Sequence, residues 1–257
     1  MAVTAVGPRA PIRPGGLVVA IRRAHERLGG AIEPLTDAQV GQPSRLPGWS
    51  RGHVLAHLDG LAAAIARQID CARRGELVDF YDGGRPARDA AIEAGASAPA
   101  AEHVHALRVA TERIDALLAG LAPADWDRPV RFRDGVVLSV ALAWWREVEI
   151  HLVDLDLGPD SDEWSAELCD HLVDFLATRV PAGSRVVLEA PDGWRRDLGA
   201  GAARTVRGDR ADLTAWLAGR EPVRAIRAAD GDHLPRLDPW PDSTPPEPPA
   251  ATSPDLA

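Results

Sequence analysis

The sequence predicts an α+β protein, with an N-terminal four-helix bundle over residues 15–160 and a small C-terminal α+β domain over residues 161–236. Three observations carry this expectation. Four long segments place apolar residues at the three- and four-residue intervals of an amphipathic helix. After Pro159 the pattern changes to short apolar runs bounded by turn residues, the mark of strands. From residue 237 to residue 257 the chain is rich in Pro, Ser and Asp and too poor in large apolar side chains to bury a core, which predicts a disordered tail.

The elements follow in order. Residues 1–14 are rich in Pro and Gly and are expected to form a flexible N-terminus. Helical periodicity begins over residues 17–28. Pro and Gly punctuate residues 34–47, and Ser50 then stands where an N-cap belongs, before a helix running to about Arg74. On that helix Val54, His57, Leu58, Leu61 and Ile65 share one face, so His57 faces the core, whereas His53 at the edge of the stripe is compatible with either side. Residues 75–96 read as a loop with a short turn of helix. Residues 100–121 form the third long helix and residues 139–157 the fourth, closed by Gly158-Pro159. Beyond it, residues 164–180 read as a helix, residues 184–190, 194–198 and 203–208 as strands, and residues 211–218 as a short helix ended by Gly219.

Composition excludes several classes. A chain of 257 residues can bury a substantial core and divide into two domains. No run of eighteen or more apolar residues occurs, and the first residues lack the charged start and apolar stretch of a signal peptide, so a cytoplasmic protein without a membrane partner is expected. The net charge of −9 argues against a nucleic-acid partner. Cys71 and Cys169 form no CxxC pair and read as reduced core residues. All 29 basic residues are arginine, which excludes Schiff-base chemistry and the P-loop lysine. The bias matches the richness in Ala, Gly and Pro and reads as composition, but it leaves arginine, the better carboxylate clamp, as the sole cationic side chain besides histidine.

The chemistry concentrates in two helical segments. Residues four apart lie on one helix face, so Glu147 and His151 point the same way while Glu149 points elsewhere. With His57 from a second helix they form a His2Glu set, the ligand pattern of catalytic zinc sites that keep a fourth position open. Taken singly, a histidine on an apolar face is usually a satisfied core residue, and a Glu/His pair at this spacing is usually a surface pair. Their conjunction is different, because burying a carboxylate on the stripe with Val140 and Trp144 is costly unless it is paired or bound to metal. His25, His103, His105, His171 and His233 show no comparable arrangement and read as structural or solvated. Asp154, one turn beyond His151, lies near a helix end and reads as incidental, with orientation of a ligand as the alternative.

The same segments resemble a known family. Leu46-Pro47-Gly48-Trp49-Ser50-Arg51-Gly52-His53-Val54-Leu55-Ala56-His57-Leu58, followed about ninety residues later by Arg146-Glu147-Val148-Glu149-Ile150-His151-Leu152-Val153-Asp154-Leu155, is similar to the mycothiol-dependent maleylpyruvate isomerases of the DinB-like metal-binding superfamily. The resemblance extends to the small C-terminal unit and implies a DinB-like bundle. It places the metal on His57, Glu147 and His151, and it places arginines facing the active site at positions matching Arg88, in the loop after the second helix, and Arg220. Arg85 is the alternative to Arg88.

What the resemblance implies chemically is a divalent metal, most simply Zn2+, holding the thiol of mycothiol as thiolate. Addition of that thiolate to the cis double bond of maleylpyruvate, rotation and elimination give fumarylpyruvate, with arginines on the substrate carboxylates. The ligand set equally suits an S-transferase that conjugates the thiol to an electrophile in detoxification or natural-product biosynthesis. A non-catalytic metal- or thiol-binding module is the alternative outside enzymes, against which an open His2Glu site speaks.

Overall fold

The computed structural model describes residues 12–240. The N-terminal segment assigned to residues 1–14 and the tail assigned to residues 237–257 therefore lie mostly outside the described residues. The described chain forms two compact units, one ending at His171 and the other beginning at Leu172. Together they make an α+β protein, a helical N-terminal domain followed by a domain built on a mixed four-stranded sheet.

The first unit is a helical bundle. Its long helices are α1 (Pro14–Ile32), α3 (Arg51–Arg73), α5 (Ala100–Ala119) and α6 (Val137–Asp154), with a one-turn helix α2 (Asp37–Val40) before α3. Helix α3 packs on α5 and α6, and α1 packs on the other sides of the same two helices. The core they share is Leu17, Ile21 and Leu28 from α1, Leu55, Leu58, Ile65 and Ile69 from α3, Leu107 and Ile114 from α5, and Val140, Trp144, Val148 and Leu152 from α6. Full burial of such side chains is worth about 1.5–3 kcal/mol each, so the shared apolar stripes rather than helix propensity hold the bundle. Ser50 caps α3 as expected, accepting the His53 backbone N–H through its side chain.

One element departs from the sequence reading. Within residues 75–96, expected to be a loop with a short turn of helix, the chain forms a longer, three-turn helix, α4 (Gly84–Gly95), entered through Gly83 and Gly84 at φ 74° and 69°. Ala87, Ala90, Ala91 and Ala94 give the segment strong helix propensity, yet only Ile92 within it is buried, so it lacks the apolar stripe that betrays a helix in sequence. Arg88 consequently stands on a helix, not in a loop. The end of α4 lies tightly against α3 at Gly52, where any Cβ would run into the Ala96 carbonyl oxygen.

In the second unit the sheet order is β2-β1-β3-β4, with β1 (Ser184–Glu189), β2 (Arg195–Gly199), β3 (Ala202–Arg207) and β4 (Arg227–Ala228). Strand β1 runs antiparallel to β2 and parallel to β3, and β4 runs antiparallel to β3. Helix α7 (Ala166–Leu176) leads into this unit, and α8 (Arg210–Leu217) follows β3. The first residues of the stretch read as tail are tied down: the Asp238 N–H donates to the Arg179 carbonyl at 2.8 Å, and the Trp240 indole N–H donates to the Ala218 carbonyl at 3.0 Å. Among the described residues no helix is long and apolar enough to cross a membrane.

Candidate metal centre

The two helices α3 and α6 bring His57, Glu147 and His151 together. Both imidazole Nε2 atoms approach the same carboxylate oxygen, Glu147 Oε2, His57 at 3.3 Å and His151 at 3.2 Å. The two rings meet edge to face with centroids 4.8 Å apart. One donor atom from each residue lies within 4.8 Å of the others, so the group could hold a metal ion.

The surroundings fix each ligand. His151 Nδ1 lies 2.9 Å from Asp154 Oδ2, whose side chain is completely buried. That is the carboxylate–histidine arrangement found behind metal ligands: it sets the tautomer and leaves Nε2 facing the centre. Of the two readings of Asp154 in the sequence, this contact favours the orientation of a ligand over an incidental acid. Burial would push the His151 imidazole down, but the hydrogen bonds it donates to Asp154 and Glu147 overcome it and raise its pKa to about 9. Burial likewise works to raise the Glu147 carboxyl, and hydrogen bonding from His151 and His57 outweighs it, holding the group well below the usual carboxylate range. His57 is pushed down, chiefly by burial.

Arg88 also reaches this centre: its Nη2 lies 3.1 Å from His57 Nδ1 and its Nη1 pairs with Asp89 at 2.7 Å. Its guanidinium sits over the Trp49 ring, 5.9 Å from the centroid, and Trp49 meets His57 edge-on. The guanidinium 3.1 Å from His57 Nδ1 is that of Arg88. His53 turns away, contacting Ser50 through Nδ1 and Glu93 through Nε2. Glu149 points elsewhere as the helix period requires and pairs with Arg27 of α1.

Arg220 lies in the second unit, just beyond α8. Its Nη1 donates to the Ala218 carbonyl at 2.9 Å, and its guanidinium rests on the Trp240 ring at 5.3 Å. Of the remaining histidines, His25 accepts the Trp144 indole N–H at 2.7 Å and contacts Asp115 at 3.1 Å, a buried tie between α1, α5 and α6. His171 stacks on Trp145, and its pKa is lowered to about 4 by burial and by Arg146. His105 and His233 are exposed. Tyr81 is unremarked in the sequence because no motif contains it; burial pushes its phenol pKa up.

Comparison with known proteins gives this geometry a lineage. The family profile for the mycothiol maleylpyruvate isomerase N-terminal domain matches residues 21–156, and that for the MDMPI C-terminal domain matches residues 163–239. Among solved structures, the crystal structure of the mycothiol-dependent maleylpyruvate isomerase superposes with a TM-score of 0.80 at 20% identity, covering 89% of this chain and 98% of that one. The structure of a histidine-to-alanine mutant of that isomerase superposes at 0.79 with the same identity and coverage. No curated protein matches. The two profiles account for most of the chain, one for each unit, and the chain belongs to the mycothiol maleylpyruvate isomerase family.

Proposed function

We propose that the protein is a metal- and mycothiol-dependent cis–trans isomerase that converts maleylpyruvate to fumarylpyruvate. The observation that carries this reading is the buried group of two imidazole nitrogens around one carboxylate oxygen, in a chain of this family. A divalent cation, most simply Zn2+, held by His57, Glu147 and His151 would supply the charge that keeps a thiol ionised at neutral pH, and mycothiol would supply the thiol. Glu147 remains an anion through the neutral range and so stays available as a ligand. Asp154 holds His151 in the tautomer whose Nε2 faces the centre. Arg88 places a permanent positive charge against the centre, suited to a substrate carboxylate, and Arg220 serves as a second carboxylate receptor.

The thiol comes from outside the chain, because Cys71 and Cys169 are 6% and 1% exposed and neither belongs to the ligand group. The test is turnover of maleylpyruvate by metal-loaded protein with and without mycothiol. Isomerisation should require the added thiol and survive Cys71→Ser combined with Cys169→Ser. Full activity in a thiol-free assay contradicts the reading, and conjugation of an electrophile without any isomerisation would replace it with S-transfer.

A further inference from the structure

Arg88 needs a fixed point outside its own helix. Ile92 is the one buried side chain of α4, so the helix is weakly anchored, and Asp89, which pairs with Arg88 Nη1 at 2.7 Å, belongs to that same helix and cannot fix the guanidinium relative to the metal ligands. A long side chain left free gives up rotamer freedom each time it takes a ligand, which weakens binding. Two contacts hold the guanidinium against the rest of the bundle: Nη2 lies 3.1 Å from His57 Nδ1, and Cζ stands over the Trp49 ring, 5.9 Å from its centroid.

Trp49 is itself held firmly. Its carbonyl accepts the Ser44 N–H and the Ser44 hydroxyl, both at 2.9 Å, and its own N–H donates to the Leu46 carbonyl at 3.1 Å. The segment is tied to both ligand-bearing helices: the Arg45 N–H donates to the Asp154 carbonyl at 2.8 Å, at the end of α6, and Ser50 caps α3. The indole stacks on His53, with centroids 6.1 Å apart, and meets His57 edge-on at 5.8 Å. Trp49 is only half-buried, so apolar burial is not its whole contribution. A leucine would supply comparable apolar contact, whereas the indole also presents the negative face of its π-system to the cation lying over it.

We infer that Trp49 is a positioning residue: its ring face holds the Arg88 guanidinium beside His57, in place to receive a carboxylate at the metal centre. This rests on the reading of Arg88 as a carboxylate receptor. Trp49 acts through Arg88 and not by touching the ligand, so its contribution disappears when Arg88 is removed. Residues coupled in this way give losses that do not add. Trp49 supplies no ligand atom, so the metal stays in place without it.

The test is a double-mutant cycle on the zinc-loaded protein, with calorimetric binding of fumarate, a dicarboxylate, measured for the wild type, Trp49→Leu, Arg88→Ala and the double variant. The expected result is binding about three- to thirtyfold weaker in Trp49→Leu, as loss of a cation–π contact predicts. Trp49→Phe, which keeps a smaller aromatic face, should recover part of it, and adding Trp49→Leu to Arg88→Ala should weaken binding no further, with zinc content unchanged throughout. Trp49→Phe runs the same cycle, with a smaller loss expected, should Trp49→Leu fail to fold. Unchanged binding in Trp49→Leu, no recovery in Trp49→Phe, additive losses in the double variant or loss of zinc would each overturn the assignment while leaving Arg88 as a receptor. A wild type that does not bind fumarate, or unchanged binding in Arg88→Ala, would remove the carboxylate role of Arg88 and the assignment with it. Binding is read without turnover, so a protein that passes the cycle yet never isomerises maleylpyruvate keeps Trp49 in this role and rejects the isomerase reading instead.

Discussion

Asp154 Oδ2 stands 2.9 Å from Nδ1 of His151, three residues earlier on α6, with the Asp154 side chain wholly buried. A buried carboxylate in that position is stable only because it is paired, and the pairing directs the opposite imidazole nitrogen at Glu147. Replacing Asp154 by Asn removes the charge while keeping the shape. We expect Asp154→Asn to weaken metal binding about ten- to a hundredfold, read by competition with a chromophoric chelator. An unchanged affinity would show that the pair supports folding alone.

The same contact sets a pH dependence. In the metal-free protein His151 has a pKa of about 9, well above the ordinary 6.5, so it carries a proton at neutral pH. A metal must displace that proton, since neither Glu147, held low, nor His57, pushed down, has one to lose there. About one proton should be released per ion bound at pH 7.5, and metal affinity should rise with pH until about 9 and then level off. The stability consequence has a definite sign. A pKa raised above its unfolded value contributes stability that is fully present below 6.5 and is lost as pH climbs to 9. The Tm of the metal-free protein should therefore fall across that window, and a flat profile with no proton release would contradict the assignment.

Arg220 is held by the Ala218 carbonyl at 2.9 Å and by the face of Trp240. A guanidinium can pair with both oxygens of a carboxylate at once. Losing one charged hydrogen bond removes roughly 1.5–3 kcal/mol, so Arg220→Ala should lower kcat/KM on maleylpyruvate about ten- to a hundredfold with metal content unchanged. Arg220→Lys should restore only part of it, because an ammonium cannot reproduce the planar fork. Wild-type kcat/KM in Arg220→Ala would remove this residue from the site.

Elements with a continuous apolar stripe were legible in the sequence. Val54, Leu58, Leu61 and Ile65 made α3 visible and fixed the side on which His57 falls, and the four-residue step from Glu147 to His151 gave two ligands from one helix. Helix α4 was read as no more than a short turn of helix within a loop, because Ile92 alone of its side chains is buried, and Arg88 was placed in the loop. The strand order was hidden for a different reason: the parallel pairing of β1 with β3, with β2 outside, depends on packing between segments distant in sequence. Trp240, in a stretch too polar to suggest structure, donates to the Ala218 carbonyl at the end of α8 and packs against Phe175, Arg179 and Arg220.

The central claim is that His57, Glu147 and His151 hold one metal ion. The most direct measurement is the metal content of three purified proteins: the wild type, His57→Ala and His53→Ala. The two histidines stand four positions apart on α3, yet His57 approaches Glu147, while His53 pairs with Ser50 and Glu93. The account predicts about one divalent ion per chain in the wild type and in His53→Ala, and essentially none in His57→Ala. A wild type free of metal after growth and dialysis in zinc, or a His57→Ala protein that retains a full equivalent, would contradict it.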